Sequence, residues 1–101
     1  MALEAPKQPH TASLDPILRK IAWCESHGDM NARNPNSSAK GKYQFLDGTF
    51  EYYGKELWGE EWVTKDVFSE KDQDDLAMYV VSVNGYKDWE ADPASVACWK
   101  N

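Results

Sequence analysis

No stretch of this 101-residue sequence approaches the roughly 18 consecutive apolar residues that cross a bilayer, so no membrane insertion is expected. Positive charge is in short supply too: 11 Lys and Arg stand against 17 Asp and Glu, a net charge of −6 with a pI near 4.8. A basic stripe able to neutralise phosphates is therefore missing, which argues against a nucleic-acid partner and against docking on an anionic membrane surface. Histidine occurs only as His10 and His27, so a Ser-His-Asp triad has little to draw on. His27 with Asp29 lacks a third ligand, too few for a metal site. There is no phosphate loop, no GxGxxG and no cysteine–histidine nucleophile pattern. No metal and no cofactor is expected, and acid–base chemistry through carboxylates is what is left. Cysteine is equally scarce. Cys24 and Cys98 are either two buried thiols or one bridge closing almost the whole chain into a loop, worth roughly 4 kcal/mol in the chain-entropy picture.

What is present is enough for one core. Hydrophobic residues make up 42% of the chain, and five Trp, five Tyr and three Phe are far too many for a solvated coil. Residues 1–13, with Pro6 and Pro9 and no apolar run of the kind a signal peptide needs, read as a flexible lead-in or an appended remnant. Residues 14–101 read as one domain, either excised or ending naturally after Asn101. Asp15 as N-cap and Pro16 at the first helical position predict a helix over 17 to about 27, stopped by Gly28, with Ile17, Leu18 and Ile21 followed by Cys24 or Glu25 on its buried face. The Asn-, Ser-, Gly- and Pro-rich segment 28–42 cannot sustain a helix and predicts a long loop or a short hairpin. Asp47 is expected to cap a helix over 48–58, and the stretch around 62–68 is ambiguous. Ser69 followed by Asp72 resembles a capping box for a helix to about Val83, with Leu76, Ala77, Val80 and Val83 as its core stripe. Asp92–Pro93 repeats the cap-plus-proline signal before a short helix carrying Val96, Cys98 and Trp99. The expected class is α+β, predominantly α, with one irregular loop or short hairpin beside a cleft.

Glu25 is the leading candidate for chemistry. A carboxylate in the last turn of a helix, on or beside its apolar stripe, meets the negative end of the helix dipole and partial desolvation. Both raise its pKa toward the range a general acid needs, although an ordinary solvated glutamate fits the position as well. The loop that follows ends in Gly41-Lys42-Tyr43-Gln44-Phe45, and its amide side chains suit sugar hydroxyls. Gln44 is polar inside an apolar run, so it is either bonded internally or facing a cleft. Tyr43, Tyr52 and Tyr53 offer aromatic faces to a pyranose, while Phe45 and Phe50 read as core.

Three strings now matter together: Ile21-Ala22-Trp23-Cys24-Glu25-Ser26-His27-Gly28, the run Asn34-Pro35 to Phe45 with Gly48-Thr49-Phe50, and Gly85-Tyr86-Lys87-Asp88-Trp89 followed by Cys98. In this order they resemble the transglycosylase-like domain of resuscitation-promoting factors and the core of lytic transglycosylases in the lysozyme superfamily. The resemblance spans residues 14 to 100 and implies a small lysozyme-like fold. It implies that Glu25 is the catalytic glutamate, that Gln44 and Thr49 line a substrate cleft, and that Cys24 and Cys98 form a disulfide. Tyr43 and Trp89 become cleft or core aromatics. The chain departs from the family at His27, where glycine is usual, at Leu46, where some members have aspartate, and in a longer segment from Trp58 to Phe68. Asp47 and Asp29 are the candidates for a second carboxylate.

The implied activity is cleavage of the β-1,4 bond between N-acetylmuramic acid and N-acetylglucosamine in peptidoglycan glycan strands, by transglycosylation or as a hydrolytic lysozyme. The rivals are a non-catalytic peptidoglycan-binding module and a protein-interaction domain using Trp58, Trp62 and the acids of 60–75. A monomer that is secreted, periplasmic or delivered by a phage would fit this chemistry. Charge is unevenly spread: residues 60–75 hold seven acids against Lys65 and Lys71, whereas residues 26–46 carry Arg33, Lys40 and Lys42 against Asp29 alone. The acidic segment is accordingly expected to lie away from the groove.

Overall fold

The structure, a computed structural model, describes residues 15–100. Asp15 and Pro16 open the first helix as their chemistry demands. The Asp15 carboxylate accepts from the Ile17 N–H at 2.7 Å, and proline occupies a position whose N–H would have no helical partner. The described residues then form α1 (Pro16–Ser26), α2 (Asp47–Trp58), a 3₁₀ segment at Gly59–Thr64, α3 (Glu70–Asn84), a 3₁₀ turn at Lys87–Trp89 and α4 (Pro93–Trp99). The predominantly helical class is as expected. The loop between α1 and α2 is irregular, with isolated bridges pairing Arg33 with Lys40 and Lys40 with Phe45 where a hairpin was one alternative.

Leu18, Ile21 and Ala22 of α1 meet Leu76, Ala77 and Val80 of α3 in a core closed by Trp89 and Trp99. The buried stripe of α1 runs Leu18, Ile21, Ala22, so Ile17 sits at its edge and is 36% exposed. Extending that stripe by one more turn reaches Glu25. Val83 departs from its expected place in the core and is 52% exposed. The reason is rotational. The buried face of α3 also includes Gln73, and the line from Gln73 through Ala77 to Val80 leaves Val83 on the flank.

Two caps differ from expectation. His27, not Gly28, closes α1 in the left-handed region with φ 56°, followed by Gly28 at φ 80°. This explains why glycine suits the position: a side chain there is strained, and the His27 ring offsets part of that by stacking on Trp23 at 4.6 Å. At α2 the N-cap is Leu46, without a side-chain bond, and Asp47 lies inside the helix. The Asp47 N–H is instead satisfied by the Ser38 hydroxyl at 3.0 Å, so a loop residue does the capping. Ser69 and Asp92 cap α3 and α4 as expected, accepting from the N–H groups of Asp72 and Ala94.

The long loop is held by α3. Gln73 accepts from the Lys42 N–H at 2.6 Å and donates to the Met30 carbonyl at 3.0 Å. Gly41, at φ 81°, passes so close that an added Cβ would lie 2.5 Å from the Gln73 Oε1. Gly41→Ala is expected to lower stability by about 2 kcal/mol or more in urea unfolding, because strain and overlap combine. Gly48→Ala, in α2 with nothing within 4 Å of the new methyl, is expected to be neutral or stabilising by about 0.5–1 kcal/mol.

Candidate active site

The α1 stripe carries Glu25 to the junction with α4. There the Cys24–Cys98 disulfide joins the two helices across 74 residues, with Cα atoms 6.0 Å apart. Three residues before Cys98, one helical turn away, Ser95 is buried and donates its hydroxyl to the Glu25 carboxylate. Glu25 is half-buried. Burial pushes its pKa above the ordinary carboxylate value, the Ser95 hydrogen bond draws it partly back, and the nearby Asp92 charge raises it again. The direction is the one expected from the sequence, with burial as the leading cause.

The loop approaches the same corner of α1 through Ser26. Its hydroxyl bonds to the Lys42 carbonyl at 2.8 Å and to the Ala22 carbonyl at 3.1 Å. Trp89 donates its indole N–H to the Tyr43 carbonyl at 3.0 Å. Between cleft and core, the structure places Tyr43 and Trp89 in the core. Tyr43 is fully buried and donates its hydroxyl to Asp74 at 2.6 Å, while Trp89 packs against Tyr43 and Phe45. Burial and Asp74 together push the Tyr43 hydroxyl far above its ordinary pKa, so it stays protonated. Gln44, half-buried, has φ 55° and donates its side-chain amide to the Gly41 carbonyl at 2.9 Å, closing a tight turn on itself.

Thr49 sits in the first turn of α2. It lines a groove of about 500 Å³ with Ser38, Gly48, Tyr52, Tyr53 and Asp88, and Tyr53 donates to Asp88 across it at 3.1 Å. Asp47 faces a different groove of about 540 Å³, with Phe50, Trp62, Asp66 and Phe68, and is paired with Lys40 at 2.5 Å. Glu25 lines neither groove. Asp29 is exposed and turns back to accept from the Asn31 N–H at 2.9 Å. Trp58 and Trp62, offered as exposed contacts, are half-buried, with the ammonium groups of Lys65 and Lys55 over their rings.

The acidic segment is not remote from the loop, contrary to expectation. Lys42 is buried and its ammonium lies 2.9 Å from Asp74 and 3.0 Å from Glu70. Glu70 also joins Arg19, Trp23 and Lys42 around a pocket of about 230 Å³ beside α1. Asp74 is fully buried, and a buried carboxylate needs such a partner. Ser95, Gln73 and Asp74 were given no role by the sequence, and Asp92 was read only as a helix cap. For Ser95 a signal existed: once Cys98 is bridged to Cys24, the residue one turn before Cys98 must lie near the residue after Cys24.

The transglycosylase-like domain family matches residues 12–92, and the chain belongs to it. Among curated relatives it is 36% identical over 72 residues to a protein named "Probable transglycosylase SceD" from Staphylococcus haemolyticus, covering 71% of this chain and 30% of the relative. It is 56% identical over 34 residues to a "Probable transglycosylase SceD" from Staphylococcus epidermidis, covering 34% of this chain and 16% of the relative. "Probable transglycosylase SceD 3" from Staphylococcus saprophyticus is 36% identical over 72 residues, covering 71% of this chain and 29% of that protein. The chain thus spans about 30% of the length of the relatives matched over 72 residues. No solved structure matches it. Among the described residues no helix is long and apolar enough to cross a membrane.

Lys42→Met leaves Asp74 as a buried carboxylate without its cation. It is expected to cost about 3–5 kcal/mol, read as a lower urea midpoint with an unchanged slope.

Proposed function

We propose that this domain cleaves the N-acetylmuramic acid–N-acetylglucosamine β-1,4 bond of peptidoglycan as a lytic transglycosylase, with Glu25 as its acid and base. The observation that carries the reading is a half-buried glutamate of raised pKa, at the corner where α1 meets α4, in a chain of the transglycosylase-like family. A carboxyl whose protonated form is favoured by burial can give its proton to the departing glycosidic oxygen as the C1–O4 bond breaks. Positive charge then gathers on the muramic ring as an oxocarbenium-like centre. The Glu25 carboxylate, now ionised, takes the proton of the sugar's own C6 hydroxyl while O6 closes on C1. The 1,6-anhydro end forms, no water is consumed, and Glu25 recovers its proton.

Hydrolysis needs a carboxylate to serve water or the glycosyl cation. Asp47 is engaged by Lys40, and Asp29 is spent on its own turn. Both observations favour the intramolecular route. In this reading Gln44 and Thr49 contact the glycan, Tyr43 and Trp89 hold the backbone beneath them, and residues 14–101 are the catalytic unit. Such a substrate places the protein outside the cytoplasmic membrane, whether secreted, periplasmic or delivered by a phage.

Glu25→Gln is expected to abolish release of soluble muropeptides from purified cell walls. Since the raised pKa means the folded state binds that proton more tightly than the unfolded chain, ionising Glu25 costs stability as pH rises through its folded value. The glutamine variant should therefore melt at or above the wild-type temperature at pH 7. Mass analysis of wild-type products distinguishes the routes, since an anhydro end is lighter than a reducing end by one water. Full activity in Glu25→Gln would end the assignment, and wall binding without any product would favour a non-catalytic module.

A further inference from the structure

We propose that Ser95 is a positioning residue for Glu25, fixing the orientation of its carboxyl group so that the oxygen not bonded to Ser95 carries and delivers the proton. The inference rests on Glu25 being the acid and base of the proposed reaction. Ser95 lies beyond residues 12–92, the part of the chain that the family match covers, and its role follows from local geometry.

The Ser95 hydroxyl is itself buried and donates to Oε2 of Glu25. An oxygen that already accepts a short-range O–H bond is the poorer place for a proton, so the acid form of Glu25 carries its hydrogen on Oε1. A free glutamate side chain would spread its carboxyl over several rotamers and both oxygens. Here the hydrogen bond selects one arrangement, and a misplacement of about 1 Å in such a group can cost on the order of a hundredfold in rate. The mount for Ser95 is unusually firm. It sits in the first turns of α4, whose start is capped by Asp92, and one turn before Cys98, whose sulfur is bonded to the residue preceding Glu25. Donor and acceptor are thus each next to one end of the same covalent bridge. Asp92 is the charged group that faces Glu25 from the α4 side, and it opposes ionisation while Ser95 favours it.

The test reads Glu25 directly. Carboxyl-carbon NMR titration of the intact chain should show the Glu25 midpoint moving to higher pH in Ser95→Ala, because a donor to the charged form has been removed, and returning toward wild type in Ser95→Thr. In cell-wall assays Ser95→Ala should lower kcat roughly tenfold with KM changed less than about twofold, and should shift the alkaline limb of the pH–rate profile upward. Should Ser95→Ala fold poorly, Ser95→Gly removes the same donor without adding bulk and carries the same expectations. An unmoved titration in a folded Ser95 variant, with Glu25→Gln inactive, overturns the positioning role. Full activity in Glu25→Gln overturns the acid–base reading beneath it.

Discussion

The start of α3 buries an amide and a carboxylate that must both be answered from elsewhere in the chain. Gln73 and Asp74 are inaccessible to solvent, and residues of the loop between α1 and α2 answer both of them. An unpaired charge in that position would cost several kcal/mol, more than most single packing contacts supply. The course of the loop is therefore dictated by polar satisfaction rather than by its own conformational preferences. Its sequence has little local order to offer: few apolar residues before Ala39, no sustained ladder, and four positive-φ residues at His27, Gly28, Gly41 and Gln44. Lys42 answers Asp74, Tyr43 drops its ring into the core, and Gln44 is left at the surface of the turn.

The corner around Glu25 is built on a different principle. There the elements are short helices, and a covalent bond and two serines align them. Cys24–Cys98 brings α4 to α1, Ser95 reaches Glu25 from one side, and Ser26 ties the loop to the end of α1 from the other. The glutamate is held between an apolar stripe that resists its ionisation and a hydroxyl that assists it. Rigid surroundings come from the core beside it, to which Tyr43 and Trp89 belong.

Local rules were legible in the sequence wherever a side chain acts on its own neighbours. Asp15–Pro16, Ser69 with Asp72 and Asp92–Pro93 each announce a helix, and each caps one. Glu25 stood out for the same reason, being the next step of an apolar stripe. The failures are all non-local. Ser38 caps α2 from nine residues away, so Asp47 was credited with a task it does not perform. The pairing of Lys42 with Asp74 spans 32 positions, and no periodicity encodes it. Val83 satisfies a heptad-like spacing, yet the helix has rotated off the core by then. His27 departs from the glycine usual in the family, and only the observed backbone shows why that position favours glycine.

The bridge between Cys24 and Cys98 also determines how the domain would carry a load. A pull applied through chain flanking the two cysteines runs from α1 across the sulfur–sulfur bond into α4. The loop, α2 and α3 lie on the closed side of that bond and are bypassed by the tension. Tension entering through α1 and leaving through α4 would therefore leave the fold enclosed between the two cysteines unloaded.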